Sequence, residues 1–174
     1  MKKILFAAMV CCVALSGVMS SCDNNKPEEK SGLEAWDPYM VWGASYADVQ
    51  NHMAARTDWL DGNDSLEYWP NQGWHKWYWV GENLTEQYLF ETQDGQNLWE
   101  IECYCRNTNI SVDEGRKYLE NLGYIFLSKR HVTTPDDENL EIYMSADRVT
   151  RAMIVMPTDG SAWFIDYIPM PVAD

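Results

Sequence analysis

The chain has 174 residues, and its 27 acidic against 13 basic side chains give a formal charge of −14. Nucleic acid is held by Lys and Arg that displace counterions, so about two acids per base with no basic stripe excludes that class of partner. With 46% apolar and 13% aromatic residues, including nine Trp and ten Tyr, the chain is too hydrophobic for a disordered acidic tail and predicts a folded, aromatic-rich domain.

At the start, Met1, Lys2 and Lys3 are followed by the apolar run Ile4 to Leu15, relaxed by Ser16 and Gly17, which is the pattern of a secretory signal. The run is too short to cross a bilayer as a helix, which takes about 20 residues. Ser20 and Ser21 precede Cys22, and the segment resembles the lipobox of bacterial lipoproteins, with Met19 where Leu is usual. The resemblance implies cleavage after residue 21 and a lipid on the Cys22 thiol. Several acyl chains on one terminal Cys anchor stably where a single chain does not. Cleavage also removes Lys2 and Lys3, so the mature chain is more acidic still. Residues 1–21 are therefore expected to be a signal peptide and 22–35 a flexible, lipid-attached tether, polar from Asp23 to Gly32. The expected location is the cell envelope, at the outer membrane or cell surface rather than the inner membrane. The first expected partner is the membrane itself, through the lipid.

Residues 36–174 predict a single domain, long enough for one core. Ser45-Tyr46-Ala47-Asp48 opens a helix with Val49 and Met53 on its apolar side, and Ser111-Val112-Asp113-Glu114 opens another with Leu119 and Leu122. Both have capping-box spacing, and Gly123 supplies a left-handed stop to the second. After the first helix, Leu66 to Trp69, Trp74 to Val80, Thr85 to Glu91 and Leu98 to Tyr104 read as strands. After the second come Tyr124 to His131, Leu140 to Met144, Val149 to Met156 and Ala162 to Ile168. Asp94-Gly95 and Asp159-Gly160 separate the last two strands of each set. The predicted fold class is α+β: an antiparallel sheet with two helices on one face, in two tandem helix-plus-meander units at about 40–107 and 108–170.

Trp42-Gly43-Ala44-Ser45 leading into a short helix with Val49, then a meander, resembles the small envelope lipoproteins of the SmpA type and the β-lactamase-inhibitor-protein fold. The resemblance covers most of residues 40 to 170 as a pattern. It implies two helix-plus-sheet units forming a concave saddle, and a protein-binding or assembly role.

The densest chemical feature is Tyr68, Trp69, Trp74, Trp77, Tyr78 and Trp79. Alternation assigns Trp77 and Trp79 to a buried strand face and leaves Lys76 and Tyr78 wet. Trp69 and Trp74 flank a Pro/Gly loop and are the candidates for exposed contact with a protein partner or a glycan. Asp58, Asp61, Asn63, Asp64 and Glu67 crowd together, but Leu66 stands where a calcium loop needs Gly, so they read as a solvated acidic turn. Asp64-Ser65-Leu66 resembles a short O-glycosylation site of some anaerobic Gram-negative bacteria, which would make Ser65 a modification site.

Cys103 and Cys105 share a strand face with Trp99 and Ile101 and read as core thiols. His52, His75 and His131 show no ligand spacing, and there is no nucleophile elbow or phosphate loop. Asp166, beside Phe164 and Ile168 on a sheet face expected to be half exposed, is the most suggestive single carboxylate. No cofactor, metal or catalytic residue is expected. The expected function is a lipid-anchored envelope protein that binds or assembles with a protein partner without catalysis. The alternatives are a glycan-binding lipoprotein using exposed Trp, and a hydrolase of unrecognised type.

Overall fold

The computed structural model describes residues 32–70, 72–106, 109–133, 137–159 and 162–171. The expected signal peptide, Cys22 and all of the tether before Gly32 lie outside these residues, as does Gly160 of the expected Asp159-Gly160 turn.

Both helices start where their caps are written. In α1 (Tyr46–Ala54) the Asp48 amide donates to Ser45 Oγ, and the Asp48 carboxylate accepts from the Ser45 amide at 2.9 Å. In α2 (Val112–Asn121) the Ser111 amide donates to Glu114 at 2.7 Å. Gly123 sits at φ +83°, a left-handed conformation that costs glycine little, and it ends the helical run.

Nine strands form one antiparallel sheet among the described residues: β1 (Leu60–Asp61), β2 (Glu67–Trp69), β3 (Gly73–Gly81), β4 (Leu84–Phe90), β5 (Leu98–Cys105), β6 (Ile125–Val132), β7 (Glu138–Met144), β8 (Thr150–Pro157) and β9 (Trp163–Pro169). Their order is β1-β3-β4-β5-β9-β8-β7-β6, with β2 also pairing β3. The fold is thus α+β, a mostly antiparallel sheet with two helices. Eight of the strands coincide with the sequence reading to within a residue or two; β1 is too short to show periodicity.

The helices cover one face. Val49 and Met53 of α1 and Leu119 of α2 pack with Tyr78, Val80, Tyr88, Phe90, Ile101, Cys103, Cys105, Ile154, Ile165 and Tyr167. Cys103 and Cys105 are buried on this face. Gly115 lets α2 lie against Trp163, because a Cβ there would come within 2.6 Å of the indole.

Three expectations are corrected. Residues 32–35 do not belong to a tether: Gly32–Ala35 form a short 3₁₀ helix whose Leu33 and Ala35 enter the core, followed by the buried Trp36. Leu122, expected inward, is exposed because it caps α2 past its last packed turn. The faces of β3 are reversed: Tyr78 and Val80 are buried under the helices, whereas Trp77 and Trp79 lie half-buried on the opposite face. Alternation separates two sets of side chains without saying which set faces the helices, and Lys76 misleads. Its stem is buried beside Tyr78, and its ammonium reaches the Asn63 carbonyl and, at 2.9 Å, Asp61.

Candidate functional site: the helix-free face of the sheet

Side chains alternate across a strand, so every residue that shares a face with Trp77 follows from the register. Across the sheet Trp77 pairs Gln87, Gln87 pairs Glu102, Glu102 pairs Asp166, and Asp166 pairs Met153. The next row is Trp79, Thr85, Tyr104, Phe164 and Val155. On the other side His75 pairs Leu89 and Leu89 pairs Glu100, while Arg151 pairs Ile168. No helix among the described residues packs on this face. Its central strands carry buried polar side chains, Thr85, Gln87, Glu102 and Asp166, flanked by half-buried aromatic rings.

The rings form a chain of contacts. Trp69 stands edge-on to His75 at 3.9 Å and lies 6.5 Å from Trp77, whose ring is 6.4 Å from that of Trp79. The Arg106 guanidinium lies over both Trp79 and Tyr104, and Tyr104 stacks on Phe164 at 4.6 Å.

Buried polar groups are almost always hydrogen-bonded, so exceptions mark a site that wants a partner. Among the described residues nine buried side-chain polar atoms have none, and seven of them are on this face: both ring nitrogens of His75, Trp77 Nε1, Thr85 Oγ1, Gln87 Nε2, Arg151 Nε and Asp166 Oδ1. His75 is roofed by Trp69, and Trp77 Nε1 lies beneath Gly62, where a Cβ would come within 2.9 Å of it. The remaining four lie on the inner strands β4, β8 and β9.

Three carboxyl groups share this face. Glu102 is 6% and Asp166 7% exposed, and Glu100 is half-buried. Burial, then the Asp166 charge, pushes Glu102 up to about 7, although the Tyr104 hydroxyl donates to it at 3.2 Å. Glu100 and Asp166 act on each other's protonation. Burial raises both, and in Glu100 the neighbouring charges of Asp166 and Glu102 add to it; Arg151 moderates Asp166. Among the described residues no ion pair within 4.0 Å reaches any of the three. With all three acids raised, this face carries less negative charge than its composition suggests.

The helix-covered face handles its buried acids differently. Glu86, fully buried, accepts from the Asp37 amide at 2.7 Å, from Tyr88 Oη at 2.8 Å and from Arg56 at 3.0 Å. Glu141 is held by Arg116 at 2.7 Å, Lys129 at 2.6 Å and the Tyr143 hydroxyl at 3.2 Å. Hydrogen bonds from Arg116, outweighing burial, hold its carboxyl down at about 2.

The sequence candidates distribute unevenly. Trp69 is 39% exposed and sits on the helix-free face, while Trp74 is half-buried on the other face, packed against the core and 5.3 Å from Tyr68. The two therefore cannot form one stacking platform. Ser65 is exposed in the turn between β1 and β2, with its carbonyl accepting from Asn63 Nδ2. Asn63 is a turn organiser, its side chain also accepting the Trp77 amide at 3.0 Å. Asp166 is on the central strands of this face and is more buried than expected. Thr85, Gln87, Glu100 and Glu102 were missed. Their signal was faint: polar residues at period two inside strands that otherwise read as buried.

No family model matches the chain, and neither the curated proteins nor the solved structures yield a significant match.

Proposed function

We propose that the chain is a lipid-anchored cell-envelope recognition module, without catalysis, whose ligand contacts the helix-free face. The observation that carries this is the concentration of unpartnered buried polar atoms on that face, beside half-buried aromatic rings. Lipid on Cys22 places the domain at the membrane, and O-glycosylation of Ser65 decorates a turn away from that face's inner strands. The two-unit organisation is supported by the sheet order, in which the last strands of the two halves, β5 and β9, meet at the centre. The likeness to SmpA-type proteins is part of the same proposal.

A second surface favours a protein partner. Strand β6 is a sheet edge whose Ile125, Phe126 and Leu127 are exposed, followed by exposed Lys129, Arg130 and His131 in a chain of net charge −14. An extended acidic segment of an envelope protein, added as a further strand, satisfies the edge amides and pairs with Arg130, whereas Lys129 and His131 already meet Glu141 and Asp137.

One experiment tests both. The full-length chain carries a benzophenone side chain at Phe164, at Phe126, or at the exposed Lys117 of α2, and is irradiated in intact cells. An adduct at 164 but not at 117 is expected; none at 164 refutes recognition by the face. A polypeptide adduct at 126 is expected from strand addition, and its absence refutes that reading. For the anchor, Cys22→Ala abolishes incorporation of labelled palmitate; persistent labelling overturns lipidation of Cys22.

A further inference from the structure

We propose that β2 is a proton-operated strap, closed over His75 at neutral pH and lifted from β3 in acid. The strap is a property of the fold and stands apart from what the helix-free face binds.

The geometry is that of a small cover on a buried base. His75 is 1% exposed, and neither ring nitrogen has a hydrogen-bond partner. What shuts it off from water is β2: Trp69 stands edge-on to the imidazole with ring centroids 3.9 Å apart, and Glu67 is directly opposite His75 in the register. A neutral imidazole leaves one donor and one acceptor unmet there. The imidazolium would leave two donors and a charge, a larger cost.

The groups within reach do not meet that need. Glu67 Oε2 lies 4.0 Å from Nε2, beyond hydrogen-bond distance, and its side chain is half in solvent, which screens it. On β4 the residue opposite is Leu89, with uncharged Gln87 two residues before it; Glu100 is one strand further, on β5, and Glu91, past the end of β4, is exposed. In the turn before β2, Asn63 Nδ2 donates to the His75 carbonyl rather than to its ring, and Asp61 is engaged by Lys76 at 2.9 Å. Burial accordingly holds the His75 imidazole below its ordinary value, with Glu67 opposing. A histidine depressed in the closed form and ordinary in the open form favours the open form as pH falls through about 6.5.

The same strand is the part of the sheet able to respond. β2 is three residues long, exposed along its length, and among the described residues pairs only with β3. Tyr68 and Trp69 both remain exposed, so little apolar area opposes lifting. Firmer contacts lie before it: Leu66 packs against the core, and Asn63 Oδ1 accepts from the Trp77 amide at 3.0 Å. Lifting uncovers the imidazole and the flank of Trp77, whose ring is 6.5 Å from that of Trp69.

The test is amide hydrogen exchange by NMR on the full-length chain in detergent micelles at pH 7.5 and 5.0, each rate divided by that of an unstructured chain at the same pH. Opening of the amides paired between β2 and β3 should rise on acidification by up to about thirtyfold, the factor by which an accessible histidine of pKa about 6.5 is protonated at pH 5.0. Amides paired between β8 and β9 should not change. His75→Phe should keep the strap closed at both pH values. Trp69→Ala, at an exposed position, should open it at both and return the ring-carbon titration midpoint of His75 to about 6.5. A change of less than about threefold, an equal change between β8 and β9, or a pH dependence that survives in folded His75→Phe overturns the proposal. If His75→Phe does not fold, a His75 midpoint that Trp69→Ala leaves unmoved overturns it instead. None of these results bears on recognition by the face, which the adduct at position 164 decides.

Discussion

Glu86-Gln-Tyr88 and Glu102-Cys-Tyr104 are the same local device on opposite faces of neighbouring strands. In each, a tyrosine two residues on places its hydroxyl against the glutamate, at 2.8 and 3.2 Å. On the helix-covered face Arg56, with Glu86 wholly buried, completes the set, and the ion pair also ties the 3₁₀ helix to the sheet through the Ala35 carbonyl at 2.7 Å. On the helix-free face Glu102 has no such cation, and its neighbours Glu100 and Asp166 are acids too. The difference lies in pairing rather than in proton affinity, which burial raises in both: Glu86 is paired with Arg56, whereas Glu102 sits among acids and unpartnered polar groups.

The largest expected effect breaks the structural side. Arg56→Met should cost about 3–5 kcal/mol in urea unfolding, because it strands the Glu86 charge in the core. The double variant Arg56→Met, Glu86→Met should recover much of that loss; a single variant within about 1 kcal/mol of the parent refutes the structural role.

Next in size is a pair of opposite pH responses. Glu102 has a folded-state pKa of about 7, above the ordinary 4.5, so the folded state binds its proton more tightly and stability falls as pH rises from 4.5 through 7. Glu102→Gln should therefore be neutral below pH 4.5 and raise stability above pH 7 by about 3 kcal/mol. Glu141, held at about 2, gives stability that is present above pH 4.5 and lost as pH falls through 2. Glu141→Gln should lower stability at pH 7 by about 3 kcal/mol and flatten the acid limb. Thermal midpoints across pH 2 to 8 check both, and equal pH profiles for the two variants would erase the contrast.

The smallest effect sharpens it. Tyr88 Oη both donates to Glu86 and accepts the Tyr39 amide at 3.2 Å, so Tyr88→Phe should cost about 1.5–3 kcal/mol. Tyr104→Phe, losing one longer bond on a half-buried ring, should cost less than about 1.5 kcal/mol. A reversed ranking in chemical denaturation would mean that Glu102, rather than Glu86, is the better supported acid.

Much of the fold was legible because its signals are local. Ser45 and Asp48, Ser111 and Glu114, Gly123, and the alternating strands each act within a few residues. The site was not legible in the same way. Asp166 drew attention as a lone carboxylate, but Glu100 and Glu102 lie more than sixty residues before it, and only the pairing of β5 with β9 brings them together. Trp69 and Trp74 lie close in sequence, yet the tight β2–β3 connection sends them to opposite faces.

The amino-acid sequence by itself determined the class of fold, the helix boundaries, the burial of Cys103 and Cys105 and the existence of two chemically distinct strand faces, because capping and period-two alternation are short-range effects. Only the tertiary structure decided which face the helices cover. That choice depends on where Val49, Met53 and Leu119 find enough apolar surface to bury. It buried Tyr78 with the stem of Lys76, turned Trp77 and Trp79 outward, and gathered acids from distant strands onto one face.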